Sequence, residues 1–216
     1  ILDSGGSAIE AAVEACVVLE DDPVFNAGTG SVFRTDGSVH LDASIQTSEG
    51  KMGFVIGMQD TPNPIRVAAG LLDEDINGLS GDGARIWADS KGFEKSNVQG
   101  RPPFEGATDT VGVLARDKHG IIVCATSTGG TSNRPPGRVG DVPLPGCGFW
   151  VQDGVGVGAT GIGEAITRGM ISLRVADRIL DGNDLEESMM WALDECLEGG
   201  AEVGIIALGA EGTGHG

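Results

Sequence analysis

The segment Asp109-Thr110-Val111-Gly112 could carry a nucleophile, because Thr110 begins an apolar run directly after a polar, Gly- and Pro-rich stretch. A threonine hydroxyl is a weak nucleophile and needs a base held nearby. If the chain were cut before Thr110, the freed α-amine would supply that base, since its unperturbed pKa of about 7.7–8.0 suits general-base duty. Threonine also favours strands, so Thr110 alone is unremarkable. The nucleophile hypothesis therefore depends on the partners that the rest of the chain supplies.

Three later motifs could supply such partners. The hydroxyl-rich segment Ala125-Thr126-Ser127-Thr128-Gly129-Gly130 ends a strand that we expect to pair with the one Thr110 begins. In the loop that follows, Arg138 could clamp a carboxylate bidentately and Asp141 could hold an ammonium, which fits an α-amino acid. A local surface salt bridge would explain that pair equally well. At a strand-to-helix turn, the Thr160 hydroxyl and the Gly161 backbone N–H could form an oxyanion hole.

The elements that must position these residues can be read from hydrophobic spacing. Helices are predicted over residues 7–20, 63–72, 81–89, 164–180 and 184–197. Strands are predicted over residues 31–34, 39–44, 53–58, 110–116, 121–126, 151–160 and 203–208, with Asp36-Gly37 as a hairpin turn between the first two. Residues 90–109 read as a flexible linker. Strands and helices in blocks predict an α+β fold with an αββα layered sandwich.

Composition excludes some classes of partner. The chain has 216 residues and 40% hydrophobic residues, enough for one domain with a real core. Its net charge of −18 argues against nucleic acid and anionic membranes as partners. An acidic, lysine-poor surface suggests salt adaptation, a hypothesis that indifference of folding and activity to salt would overturn. The lack of an apolar run of ~18 residues and of a signal peptide leads us to predict a cytoplasmic protein.

The cysteines and histidines show no pattern of metal or disulfide chemistry. Cys16, Cys124, Cys147 and Cys196 lie far apart, so we expect free buried thiols. His40, His119 and His215 lie in polar, turn-like settings without metal-ligand spacing. The chain begins with Ile1 in what reads as a helix and stops after a strand, which leads us to expect a terminally truncated fragment.

Taken in order, the motifs D-T-V-G, T-S-T-G-G, G-R-V-G-D and T-G-x-G-E resemble the plant-type asparaginase and isoaspartyl peptidase family. These are Ntn hydrolases with an N-terminal threonine nucleophile, related to glycosylasparaginase. Upstream, the segments 5–8, 19–31 and 42–45 resemble the family's first subunit. The resemblance implies a four-layer Ntn-hydrolase sandwich in which residues 1–109 and 110–216 become the α and β subunits of one domain. It also implies an (αβ)2 homo-oligomer.

The resemblance implies a role for each matching residue. Thr110 would be the nucleophile, and the bond between Asp109 and Thr110 the cleavage site. Thr128 would hydrogen-bond near Thr110 and assist both self-cleavage and catalysis, while Asn26 would approach the nucleophile from the first subunit. Arg138 would bind the substrate α-carboxylate and Asp141 its α-amine. Thr160 and Gly161 would stabilise the oxyanion, and Gly163 would line the pocket.

The resemblance further implies substrates and ions. L-Asparagine and β-aspartyl dipeptides would be the small-molecule substrates, and no organic cofactor would be required. The loop after the first helix resembles a structural sodium loop. The ion would be held by the backbone carbonyl groups of Leu19, Glu20, Asp22, Phe25, Ala27 and Thr29. Gly130 after Thr-Ser-Thr-Gly favours an asparaginase or isoaspartyl peptidase. The aspartate directly before the proposed nucleophile, Asp109, instead resembles the pattern of glycosylasparaginases, so a glycosylasparaginase-type amidase remains an alternative.

Two other functions remain open. Residues 156–161 fit G-x-G-x-x-G before a helix, and Asp177 and Asp181 lie about 20 residues further on, which is typical of dinucleotide-binding domains. The polar stretch before Gly156 and the hairpins upstream argue against that interpretation. The missing first strand and last strands of the family also leave open an inactive fragment. Titration with NAD(H) would distinguish a dinucleotide-binding domain from a hydrolase. The intact mass of the purified chain would distinguish an inactive fragment from a self-cleaving enzyme.

Overall fold

The computed structural model describes residues 1–102, 110–195, 197 and 201–216. The helices are α1 (Ala8–Asp21), α2 (Pro64–Gly70), α3 (Gly81–Ser90), α4 (Gly163–Gly169), α5 (Ile171–Leu180) and α6 (Leu185–Glu195). The strands are β1 (Leu41–Thr47), β2 (Met52–Met58), β3 (Gly78–Ser80), β4 (Val111–Arg116), β5 (Ile122–Thr128), β6 (Phe149–Gln152), β7 (Val155–Gly161), β8 (Val203–Leu208) and β9 (Gly214–His215). Short 3-10 turns cover Leu2–Ser4, Gly28–Gly30 and Leu71–Asp73.

The strands form two sheets. The first has the order β3-β2-β1-β5-β4 and the second the order β6-β7-β8-β9. All pairings are antiparallel except that of β2 with β3. In the first sheet, β1 from the first half of the chain pairs along its length with β5 from the second half, from Asp42 opposite Thr128 to Thr47 opposite Val123. One sheet therefore joins both halves of the chain.

The sheets pack face to face with helices on their outer sides. Helices α1, α2 and α3 contact the first sheet, whereas α4, α5 and α6 contact the second. Strands β4 and β5 contact β7 across the inter-sheet space, where Ile122, Cys124, Phe149 and Val151 form a buried cluster. Helix α2 approaches β2 closely, since a side chain at Gly53 would place its Cβ 2.0 Å from the Ala68 carbonyl oxygen. The predicted helix-sheet-sheet-helix order is thus observed.

Several sequence predictions differ from the structure. Residues 31–34 form no strand: Val32 makes a single bridge to Arg101, and the turn at Gly37 closes on Arg34. The helix predicted over residues 164–180 is two helices, because Met170 adopts a left-handed conformation with φ of 46°. The short strands β3 and β9 were not predicted. The glycines of residues 156–161 lie within β7, which pairs antiparallel with β6 and β8, so the dinucleotide-loop interpretation is wrong.

The prediction of free, buried cysteines is confirmed for the three that the structure describes. Cys16, Cys124 and Cys147 are free and buried, while Cys196 lies outside the described residues. The structure describes residues 90–102 of the predicted linker, and within that part residues 91–102 contain neither helix nor strand. Residues 103–109, including Asp109, are not described. No helix in the described part of the chain is long and apolar enough to span a membrane.

Candidate active site

Thr110 lies directly before β4 and faces Thr128 at the end of β5. The antiparallel register that sets Val111 opposite Ser127 carries Thr110 to Thr128 one step further. The Thr110 hydroxyl donates to the Thr128 Oγ1 at 3.1 Å, and the same Oγ1 accepts the Gly130 N–H at 3.0 Å. Because Thr128 accepts twice, its own hydroxyl proton stays free to be donated elsewhere. The sheet therefore fixes two hydroxyl groups side by side at its edge.

Asn26 connects the first half of the chain to the loop after Thr128. Its Nδ2 donates to the Gly130 carbonyl at 2.7 Å, and its Oδ1 accepts the Val32 N–H at 3.1 Å. Its backbone carbonyl accepts the Gly129 N–H at 2.8 Å. Asn26 is 5% exposed, so these bonds are shielded from water. The described hydrogen bonds of Asn26 thus hold the backbone beside Thr128.

The predicted site residues converge on one cleft. A single cleft is lined by Asn26, Thr110, Thr128, Gly130, Thr131, Arg138, Gly140, Asp141 and Gly161. Thr160 lines an adjoining apolar pocket that also reaches Thr110. Gly163 borders the cleft, because a Cβ there would lie 2.7 Å from Asp141 Oδ1 and 2.9 Å from Arg138 Nη2. Residues from four separate segments, which the sequence placed far apart, therefore meet at Thr110.

Arg138 is held by Glu164 and not by Asp141. Its Nε and Nη2 donate to the two carboxylate oxygens of Glu164 at 3.0 and 2.8 Å. Hydrogen bonding to Arg138 lowers the pKa of Glu164 to about 2, so the Glu164 carboxylate stays ionised over the physiological range. The local salt bridge between Arg138 and Asp141 that the sequence allowed is therefore replaced by a bidentate pair. This arrangement fixes the plane of the guanidinium at the cleft wall.

Asp141 is a buried carboxyl with one uncommitted oxygen. It is 5% exposed, and its Oδ2 has no hydrogen-bond partner among the described residues. Burial raises its pKa to about 7, which nearby Arg138 opposes and Asp42 and Glu164 reinforce. A buried carboxylate without partners is costly, so a cation bound at Oδ2 would stabilise the ionised form. The group can therefore accept an ammonium from a bound molecule.

Thr160 and Gly161 end β7 beside the cleft. The Thr160 Oγ1 is buried without a hydrogen-bond partner in the described part of the chain. Gly161 has φ of 130°, and a Cβ there would lie 2.3 Å from the Glu202 carbonyl oxygen, so only glycine fits. An unused donor at Thr160 is what a developing negative charge needs in this position.

Three further residues shape the site although the sequence reading assigned them no role. Arg34 is 3% exposed and donates to the Thr131 and His40 carbonyl groups at 3.3 and 3.4 Å. Asp42 lies opposite Thr128, and its Oδ1 accepts the Gly57 N–H at 2.7 Å. Burial raises the pKa of Asp42 to about 6. Glu164 stands in the T-G-x-G-E motif, which could have drawn attention to it.

The loop after α1 turns several carbonyl groups inward. A Cβ at Gly28 would lie 2.6 Å from the Glu20 carbonyl oxygen, and one at Gly30 would lie 2.0 Å from that of Phe25. Gly28 has φ of 48°. No group of three or more His, Cys, Asp or Glu side chains in the described residues could hold a metal ion, so an ion here would depend on backbone oxygens. Two of the carbonyl groups in the loop, those of Asp22 and Ala27, already accept the Phe25 and Gly30 N–H groups at 3.3 and 3.1 Å.

Comparisons with known proteins identify the family to which the chain belongs. The family model described as Asparaginase matches residues 1–101 and 95–215. The chain is 35% identical to the plant-type L-asparaginase of Pyrobaculum calidifontis over 96% of this chain and 78% of that protein. It is 34% identical to an isoaspartyl peptidase/L-asparaginase of Synechocystis over 98% and 72%, and 36% identical to that of Bos taurus over 87% and 68%. Its family is therefore established: this chain is a member of the asparaginase family.

Proposed function

We propose that this protein is a self-processing amidohydrolase that uses Thr110 to hydrolyse L-asparagine or β-aspartyl dipeptides. One observation carries the proposal: Thr110 donates to Thr128 in the cleft that also contains Arg138 and Asp141. The proposed nucleophile thus has beside it a cation and a carboxyl group suited to the two α-groups of an amino acid, which supports the proposal. The names of the relatives, plant-type L-asparaginase and isoaspartyl peptidase/L-asparaginase, support the same substrate class.

Self-cleavage would come first. The Thr110 Oγ attacks the Asp109 carbonyl, and the C–N bond between the two residues breaks as an ester forms. Water then hydrolyses the ester, which leaves a carboxylate on Asp109 and a free α-amine on Thr110. Residues 1–109 and 110–216 would become the two subunits of one domain. The freed amine, with an unperturbed pKa of about 7.7–8.0, would then serve as the base for the hydroxyl.

Substrate hydrolysis would repeat this chemistry. Arg138 binds the α-carboxylate and Asp141 the α-ammonium, which sets the β-carbonyl at Thr110. The Thr110 Oγ attacks that carbonyl, and the amine takes the hydroxyl proton and passes it to the departing nitrogen. Thr160 and Gly161 donate to the oxyanion, while Gly163 keeps the wall of the pocket free of a side chain. Ammonia or an amino acid leaves, and water hydrolyses the β-aspartyl ester.

The supporting parts of the molecule also receive roles. Asn26 and Thr128 position the nucleophile. Sodium would be structural only, held by the carbonyl groups already named from Leu19 to Thr29. No organic cofactor enters the chemistry. An (αβ)2 assembly is expected from the family resemblance.

Intact mass and N-terminal sequencing of the purified protein test the proposal, followed by ammonia release from L-asparagine. The native chain should give a new N-terminus at Thr110 and release ammonia. Thr110→Ala should stay in one piece and show no release above background, while Thr110→Ser should retain part of both activities. An uncut native chain would point to an inactive fragment. Cleavage or ammonia release by Thr110→Ala at the native rate would refute the assignment of Thr110.

A further inference from the structure

A second cleft opens beside the candidate active site, and we call it the rim cleft. It has a volume of about 230 Å³ and is lined by Thr131, Arg134, Gly161, Ile162, Glu164 and Glu202. Thr131 and Gly161 also line the active cleft, so the two spaces adjoin at the proposed oxyanion-binding residue. A group attached to a carbonyl bound at Gly161 can therefore extend directly into the rim cleft.

The rim cleft contains one cation and one anion whose side chains make no hydrogen bond or ion pair with the residues that the structure describes, although the charge of Arg134 helps to lower the pKa of Glu164. Glu164 is already neutralised by its bidentate pair with Arg138. Arg134 and Glu202 remain, and both side chains are exposed to solvent. Their backbones are anchored, since the Arg134 carbonyl accepts the Thr35 N–H at 3.0 Å and the Glu202 carbonyl accepts the Ile162 N–H at 3.2 Å. The rim cleft thus presents one cation and one anion to a bound molecule.

We infer that the rim cleft binds the amino acid that leaves a β-aspartyl dipeptide, with Arg134 on its α-carboxylate. This inference rests on the proposed function of Thr110. When L-asparagine is hydrolysed, the leaving group is ammonia, which has no carboxylate for Arg134. When a β-aspartyl dipeptide is hydrolysed, the leaving amino acid carries a carboxylate on the carbon next to the departing nitrogen. Glu202 faces the same space and favours a basic side chain on that amino acid. The rim cleft would therefore make β-aspartyl dipeptides the better substrates.

The test compares β-aspartyl-leucine with its C-terminal amide on the processed native protein, so it needs no variant. A charge-assisted contact at an exposed site should make kcat/KM for the free acid about three- to tenfold higher. Arg134→Gln should remove that preference and lower the ratio of β-aspartyl-leucine to L-asparagine hydrolysis by a similar factor. Arg134→Lys should restore most of it. Arg116→Gln, the same charge change at the exposed far end of β4, is the matched control and should keep the native ratio.

The outcomes separate the inference from the proposed function. If the processed protein hydrolyses neither substrate, the proposed function fails. If it hydrolyses both but does not distinguish acid from amide, the proposed function stands and the rim cleft is not the leaving-group site. A preference for apolar leaving residues regardless of their carboxyl group would also overturn the inference. That result would place the leaving group in the apolar pocket of Thr110, Thr126 and Ile206.

Discussion

The buried carboxyl of Asp141 predicts a specific pH dependence. Burial raises its pKa from 3.8 to about 7, a difference of about three units or about 4 kcal/mol in favour of the neutral acid. In the proposed mechanism Asp141 is ionised when it holds the substrate ammonium, so we expect this interaction above about pH 7 and its loss as pH falls through that value. At pH 6 only about a tenth of the free enzyme would have Asp141 ionised.

The Thr110 amine, the proposed base, also loses function as pH falls, because it becomes protonated. The effects of Asp141 and of the Thr110 amine on the pH profile can be distinguished with a second substrate, succinamate. Succinamate keeps the α-carboxylate and the amide of L-asparagine but lacks the α-amine. For L-asparagine, log kcat/KM should fall with a limiting slope of about two below pH 6, one unit from each group. For succinamate the slope should be about one, because Asp141 no longer matters.

Two neighbouring carboxyl groups, those of Asp42 and Glu164, bear on the comparison of the two pH profiles. Asp42, with a pKa of about 6, titrates in the same range and its charge raises the pKa of Asp141, so the prediction is that the slope for L-asparagine stays steeper than that for succinamate. Glu164, at about 2, stays ionised throughout. The assay is initial-rate kinetics from pH 5 to 9 on protein whose cleavage has been verified by mass. Equal slopes for the two substrates would refute the assignment of Asp141 to the α-ammonium.

Two further predictions concern the geometry of the cleft. Gly163→Ala should lower kcat/KM for L-asparagine at least about tenfold, because the added Cβ would press on Asp141 and Arg138; Gly83→Ala, where a Cβ meets nothing within 4 Å, is the control and should keep native kinetics. Thr128→Val should slow self-cleavage by about a hundredfold in a time course of intact mass, since the acceptor for Thr110 is lost, whereas Thr128→Ser should cleave near the native rate. Native kinetics in Gly163→Ala, or native cleavage in Thr128→Val, would contradict these roles.

Much of the fold follows from local patterns, but the exceptions have physical causes. Apolar spacing predicted α1, β2, β4 and β8 because each buries one face against a neighbouring layer. It failed at residues 31–34, where Val32 makes a single bridge to Arg101 and the backbone of Arg34 closes the turn at Gly37. It also missed the break at Met170, since a left-handed residue inside an apolar helical pattern leaves the periodicity unchanged.

The convergence of the candidate site residues was predictable where those residues stand in short motifs. Thr110, Thr128, Arg138 and Asp141 stand in short motifs, and the structure brings them to one cleft. Arg34 and Asp42 stand in ordinary contexts, and only the pairing of β1 with β5 brings Asp42 beside Thr128. The partner of Arg138 was likewise unpredictable, because Glu164 lies 26 residues away in the chain. Such contacts depend on pairing between segments far apart in the chain, which local sequence patterns do not predict.

The sheet that joins both halves of the chain has a consequence for the lifetime of the mature protein. Strands β1 and β5 are neighbours, so a cut before Thr110 would leave the native sheet intact. The unfolded state, however, would then be two separate chains. Refolding would become a second-order reaction that slows on dilution, while the native state would show no such dependence. A processed molecule would therefore remain active only as long as it stays folded, because its two chains would reassemble poorly once denatured and diluted.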